Sequence, residues 1–146
     1  MTKKIFRTIL SVGIVIMLLS TVLFCTVLLR HYTTRVFDEL EMEAVLAGRG
    51  VELEGESYLA DLHPENRITW VDVDGTVLYD SQADPSTMAN HLEREEIQEA
   101  LNGKVGEASR YSDTLATKTL YVALPLSDGS VLRVASDQSS VVSLVV

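Results

Sequence analysis

The chain has 146 residues and a formal net charge of −9, and all 21 acidic residues lie after Arg30, against eight basic ones there, a local net of −13. A surface of that sign repels nucleic-acid phosphates and anionic lipid headgroups, so neither is an expected partner. The only cysteine, Cys25, lies in an apolar run, which leaves no disulfide framework or thiolate metal site within one chain.

That run, Thr8 to Leu29, is 22 residues long and carries no charge. As a helix rising about 1.5 Å per residue it reaches about 33 Å, enough to cross a hydrocarbon core of about 30 Å. It is read as a transmembrane helix. Lys3, Lys4 and Arg7 precede it, whereas Arg30 and Arg35 are soon answered by Asp38, Glu39, Glu41 and Glu43. The positive-inside bias puts residues 1–7 in the cytoplasm and the remainder outside. A cleaved signal peptide would have a shorter apolar core and end in a small-x-small site, which is missing. Leu23 and Phe24 are too bulky for the approach to a lipid-modified Cys25.

From Thr33 to about Glu54, Phe37, Leu40, Ala44, Ala47 and Val51 recur at three- and four-residue steps, a helix with one apolar face. Residues 30–56 are assigned to this juxtamembrane, signalling helix and residues 57–136 to a folded domain. A short helix over Ser57 to Leu62 stops before His63-Pro64. Arg67 to Ser81, RITWVDVDGTVLYDS, reads as a hairpin about Asp74-Gly75. A two-residue loop would set Val71 against Leu78, Trp70 beside Tyr79 and Ile68 opposite Ser81. Asp84 to Met88 reads as a turn, and Glu93 to Leu101 as a helix burying Ile97, Ala100 and Leu101, with Gly103 as its stop. Three strands follow, Gly106 to Asp113, Thr119 to Leu126 and Ser130 to Ala135, the last two joined at Asp128-Gly129. Pro125 predicts a missing or bulged partner on one side. The expected fold is α+β, with five mostly antiparallel strands and helices on one side. Ser136 or Asp137 would cap a second membrane helix, begun at 137–146 and cut in mid-run.

Asp72-Val73-Asp74-Gly75-Thr76 looks like the nucleophile motif of haloacid dehalogenase phosphatases, which use magnesium. The helix that should follow is replaced by strand-forming Thr76-Val77-Leu78-Tyr79, so a hairpin turn is preferred and a phosphatase kept as an alternative. An EF-hand loop starting at Asp72 would need Gly where Val77 stands. His31, His63 and His91 have no metal-ligand partner at i+3 or i+4. Arg110, Tyr111, Ser112 and Tyr121 form a polar-aromatic cluster on neighbouring strands. They are the candidate ligand-binding residues, although sheet packing explains them as well.

The run from Arg67 to Leu101, with EASRYSDTLATKTLYVALPLSDGSVLRVA after it, resembles the extracytoplasmic sensor region of bacterial two-component histidine kinases of the phosphate-regulon sensor type. The shared pieces are DVDGTVLYDS, Ala89-Asn90-His91, Arg110 to Leu115 and Asp128 to Val134. The resemblance implies a PAS-like (Cache or PDC-type) domain, a homodimer in the bacterial cell membrane, and an unknown extracytoplasmic ligand or partner protein. It also implies a kinase core beyond a second membrane helix, acting on a response regulator. No cofactor is expected in this chain; ATP and magnesium go with that kinase core. A membrane-anchored interaction protein without kinase output is the other alternative.

Overall fold

A computed structural model describes residues 2–112 and 117–139, which divide into two compact units, Met1–Val36 and Phe37–Val146. Helix α1 covers Thr2–Glu54. In the first unit it is a lone helix with an apolar, exposed surface, and among the described residues it is the one helix long and apolar enough to cross a membrane. The hydroxyls of Thr8, Ser11, Thr21 and Thr26 each donate to the carbonyl four residues earlier. Their polarity is satisfied inside the helix, as a hydrocarbon surrounding requires.

In the second unit α1 is followed by α2 (Glu56–Asp61), β1 (Arg67–Val71), β2 (Val77–Asp80), a 3-10 turn at Pro85–Thr87, α3 (Glu95–Leu101), β3 (Gly106–Ser112), β4 (Thr117–Pro125) and β5 (Val131–Ser139). The strands form one antiparallel sheet in the order β2-β1-β5-β4-β3. The sheet is thus closed in its middle by β5, the last strand, which pairs with both β1 and β4.

Alternation along β5 shows how the layers are arranged. Leu132 faces α1, where its Cδ2 would lie 4.0 Å from a Cβ placed on Gly48, and the buried α1 residues Leu40, Ala44, Ala47 and Val51 follow the expected helical spacing. Arg133 faces the other way and meets Glu96 of α3. Beside it Ile97 and Ala100 pack with Val71, Ala123 and Val131. Helices therefore lie on both faces of the sheet, not on one. The apolar residues found on both sides of the first hairpin are the cause, since each face needs its own cover. Pro125 pairs with Val131, while the β3 ladder ends at Ala123, so the proline's other side has no strand.

Both Asp-Gly turns contain three loop residues, one more than expected for the first and as the strand bounds predict for the second. Gly75 N–H donates to Asp72 O (2.9 Å), Asp72 and Thr76 close the loop, and Asp74 Oδ1 accepts Thr76 N–H. Leu126, Asp128, Gly129 and Ser130 repeat the arrangement. Only the Gly must be left-handed, at φ 85 and 88. The extra residue sets Val71 against Val77 rather than Leu78, with a bulge after Trp70, whereas Trp70 still pairs with Tyr79 and Ile68 with Ser81.

The two glycines differ in their surroundings. A Cβ at Gly129 meets only Val73 Cγ1 at 3.3 Å, but one at Gly75 overlaps Asn90 Oδ1 and sits 2.5 Å from Leu92 N. Gly129→Ala is therefore expected to cost the backbone strain alone, about 1–2 kcal/mol. Gly75→Ala should cost distinctly more, because it also expels the Asn90–Leu92 segment. Urea midpoints of the two variants check this, and equal shifts would refute it.

α3 begins two residues later than expected and closes with Gly103 at φ 80, whose N–H bonds Ala100 O while Lys104 N–H bonds Glu99 O. This is a Schellman closure. Ser136 to Ser139 belong to β5 and not to a helix cap, because they pair with Leu120 to Thr117. Residues 140–146 of the expected second span and Asp113 lie outside the described residues.

Candidate functional site: a buried ion network and the hollow beside it

The face of the sheet under α3 carries charges in an otherwise apolar layer. Cross-strand register puts Thr69, Arg133 and Ala123 in one row, Arg67, Ala135, Tyr121 and Ala108 in the next, and Asp137, Thr119 and Arg110 in the third. α3 lowers Glu96 onto these rows.

Glu96 is fully buried and holds two guanidinium groups. Arg110 Nη1 donates to Oε1 (3.1 Å) and its Nη2 pairs with Oε2, while Arg133 Nη1 donates to Oε1 (3.3 Å). Arg133 Nη2 continues to Thr69 Oγ1 (3.1 Å), which donates to Asp80 Oδ2 (2.8 Å). Arg67 Nε meets both Asp80 oxygens at 3.0 Å, and the backbone N–H groups of Gln82 and Ala83 fill Oδ1. The Tyr121 ring lies beneath both arginines, 4.4 Å from Arg110 and 5.2 Å from Arg133. Such a charged chain is tolerated inside a domain because nearly every one of its buried polar atoms has a hydrogen-bond partner. Arg133 Nε is the one buried side-chain nitrogen or oxygen without a partner among the described residues.

The electrostatics follow from these contacts. Burial opposes ionisation of Glu96, but the Arg110 hydrogen bonds and the charges of Arg110 and Arg133 outweigh it and hold the carboxyl below the ordinary range. For Asp80 burial again acts upward, and the Gln82 N–H with Arg67 and Thr69 brings the net shift down. The Arg110 guanidinium is raised, chiefly by its bond to Glu96, whereas burial lowers Arg133. His91, buried beside this network, is lowered by desolvation and then by Arg133 and Arg94.

Next to the network lies a polar hollow of about 220 Å³. Ala135 forms its floor because a methyl group stands between two long side chains, Arg67 and Tyr121, in the same cross-strand row. Thr119, Asp137 and Glu65 rim it, and Thr119 Oγ1 donates to Asp137 Oδ1 at 2.5 Å.

The four residues singled out from sequence are divided by this geometry. Arg110 and Tyr121 meet, the first in the ion network and the second also on the wall of the hollow. Tyr111 pairs with Lys118 on the opposite face and is 60% exposed, since a strand alternates. The Ser112 side chain lies outside the described residues. Sequence reasoning missed Glu96, Arg133, Arg67, Asp80 and Asp137. A signal existed for Arg133, one charge within Val131-Leu132-Arg133-Val134-Ala135, a run too apolar for a solvated face. Asp72 and Asp74 serve the turn: Asp72 Oδ1 accepts Val73 N–H and Asp74 Oδ1 accepts Thr76 N–H.

No protein-family model and no curated protein matches the chain. Among solved structures, it is similar to the crystal structure of the extracellular domain of the proposed histidine kinase rpHK1S-Z16, with 24% identity and a TM-score of 0.42. The match covers 63% of this chain and spans 39% of the length of that one.

Proposed function

We propose that this chain is the signal-input portion of a membrane two-component histidine kinase of the phosphate-regulon sensor type. Residues 1–7 would be cytoplasmic and the PAS-like domain extracytoplasmic, in a bacterial cell membrane. The observation that carries the reading is that the motif residues behind the resemblance are the joints of the fold. Asn90 Nδ2 donates to Asp74 O and His91 N–H to Gly75 O, which locks the Ala89-Asn90-His91 piece onto the Asp-Gly turn. Arg110 of the Arg-Tyr-Ser piece and Arg133 of the last strand share Glu96. A set of motifs that meets in this way acts as one signature rather than as separate turn and strand signals.

The same reading accounts for an otherwise costly surface. Met42, Leu46 and Leu53 of α1 are 68%, 62% and 85% exposed, at positions that run through Arg49 in steps of four, three and four residues. Such a stripe suits pairing with a second copy of the helix, the homodimer the resemblance implies. An extracytoplasmic ligand or partner protein would favour one of two arrangements of the pair by its differential affinity, and α1 would carry the change. Phosphate transfer to a response regulator, with ATP and magnesium, would take place in a kinase core.

The test is a fusion of residues 1–146 to a kinase core, with autophosphorylation measured in membrane vesicles. Glu39 is exposed on α1, so Glu39→Pro removes a helical hydrogen bond at an expected cost of about 3 kcal/mol without touching the sheet. Output is expected to change severalfold in Glu39→Pro and to stay unchanged in Glu39→Ala. Equal output from both would overturn the input-module reading.

A further inference from the structure

The hollow over Ala135 presents guanidinium protons and carboxylate oxygens that the ion network leaves unused. Arg67 meets Asp80 through Nε, which leaves both Nη groups without a partner among the described residues. Among the described residues Asp137 receives only the Thr119 hydroxyl, and the Glu65 carboxylate has no hydrogen bond. One wall of the hollow thus presents free guanidinium protons, and the rim presents free carboxylate oxygens. A simple anion would be attracted by Arg67 and repelled by Asp137 and Glu65. A simple cation would meet the reverse.

We propose that this hollow binds a small zwitterion of the α-amino-acid class, its carboxylate on the Arg67 Nη groups and its ammonium on Asp137, with Tyr121 and Thr119 lining it. A planar guanidinium fork matches a carboxylate, and charge-assisted hydrogen bonds at both ends set the orientation. The volume of about 220 Å³ is below the roughly 300–1,000 Å³ of pockets that hold drug-sized ligands, which limits the ligand to a few heavy atoms. Position gives the site a consequence: Arg67 opens β1 and Asp137 lies near the end of β5, so a bridging zwitterion ties the end of the closing strand to the start of the first. This rests on the reading of the domain as an input module and names what it would detect.

The experiment is calorimetric titration of the full chain in detergent with the twenty L-amino acids. Two fragments of alanine serve as single-charge probes: ethylamine, which lacks the carboxylate, and propionate, which lacks the amine. At least one amino acid is expected to bind, with its single-charge fragments at least about tenfold weaker. Ala135→Leu, which fills the floor, and Asp137→Asn, an exposed and nearly isosteric change, should each weaken binding at least about tenfold. Thermal unfolding of Asp137→Asn should stay near the parent value, which separates loss of the site from loss of the fold. Absence of binding by every amino acid, fragments that bind as well as the zwitterion, or an unchanged affinity in Asp137→Asn would each overturn the proposal. If amino acids fail to bind while Glu39→Pro still alters kinase output in the fusion, the ligand class falls and the input module stands. Binding without any Glu39→Pro effect keeps the ligand class and removes the input module.

Discussion

Glu96→Ala is expected to remove about 3–5 kcal/mol of stability, because it leaves the Arg133 guanidinium buried with no counter-charge. Arg133 has 5% of its side chain exposed and Glu96 none, so water cannot replace the lost carboxylate. Arg110 is one-third exposed and rehydrates more readily, which makes Arg133 the main source of the cost. A domain of this size holds roughly 5–15 kcal/mol in all, so the loss takes between about one-fifth and the whole of its stability. Denaturant unfolding followed by circular dichroism measures the effect. The double change Glu96→Leu with Arg133→Met should recover much of the loss, since apolar side chains of similar volume replace the pair. A Glu96→Ala loss below about 1 kcal/mol would mean that the network is solvated and not buried.

The same contacts give the domain an acid sensitivity with a defined sign. Glu96 and Asp80 have pKa values lowered by folding, so their contribution is complete above the unfolded carboxylate range, about 4, and is lost as pH falls through their folded values. His91 acts earlier. Its folded pKa is lowered, so below about 6.5 the unfolded chain takes up a proton that the folded one refuses, and stability declines from there down to the folded value.

Sequence periodicity was informative where one face of an element is uniformly apolar. Leu40, Ala44, Ala47 and Val51 are buried as their spacing predicts, and the five strands appear in the expected order. It failed where polarity and burial part company. Glu96 and Arg133 are charged yet buried, and their partners lie 14 to 64 residues away in the chain, so local pattern marks Arg133 as a lone charge in an apolar run without naming what it meets, and does not mark Glu96 at all. Loop length in the first Asp-Gly turn differs for a similar reason: the side chain of Asp74 closes the turn on Thr76 N–H, a contact that dipeptide identity does not specify. The helix layers were misplaced because strand alternation gives two apolar faces without saying which helix covers which.

Gly106→Ala is the second change with a large expected effect, and it tests whether α3 is held at the position the ion network requires. A Cβ on Gly106 would overlap the backbone carbonyl oxygen of Glu96 and lie 2.7 Å from its carbonyl carbon and 2.8 Å from its Cα. These are backbone atoms of a helix, so no side-chain rotation relieves the contact and α3 must move off β3. Overpacking of this kind costs about 1–3 kcal/mol or more. Here the movement also draws Glu96 away from Arg110 and Arg133, so the cost should lie at the upper end. The two effects share one residue and are not expected to add. Starting from Glu96→Leu with Arg133→Met, in which there is no ion pair to break, Gly106→Ala should cost less than in the parent by about 0.5–3 kcal/mol. An additive cycle would show that β3 and the network are independent, with α3 free to shift without moving its carboxylate.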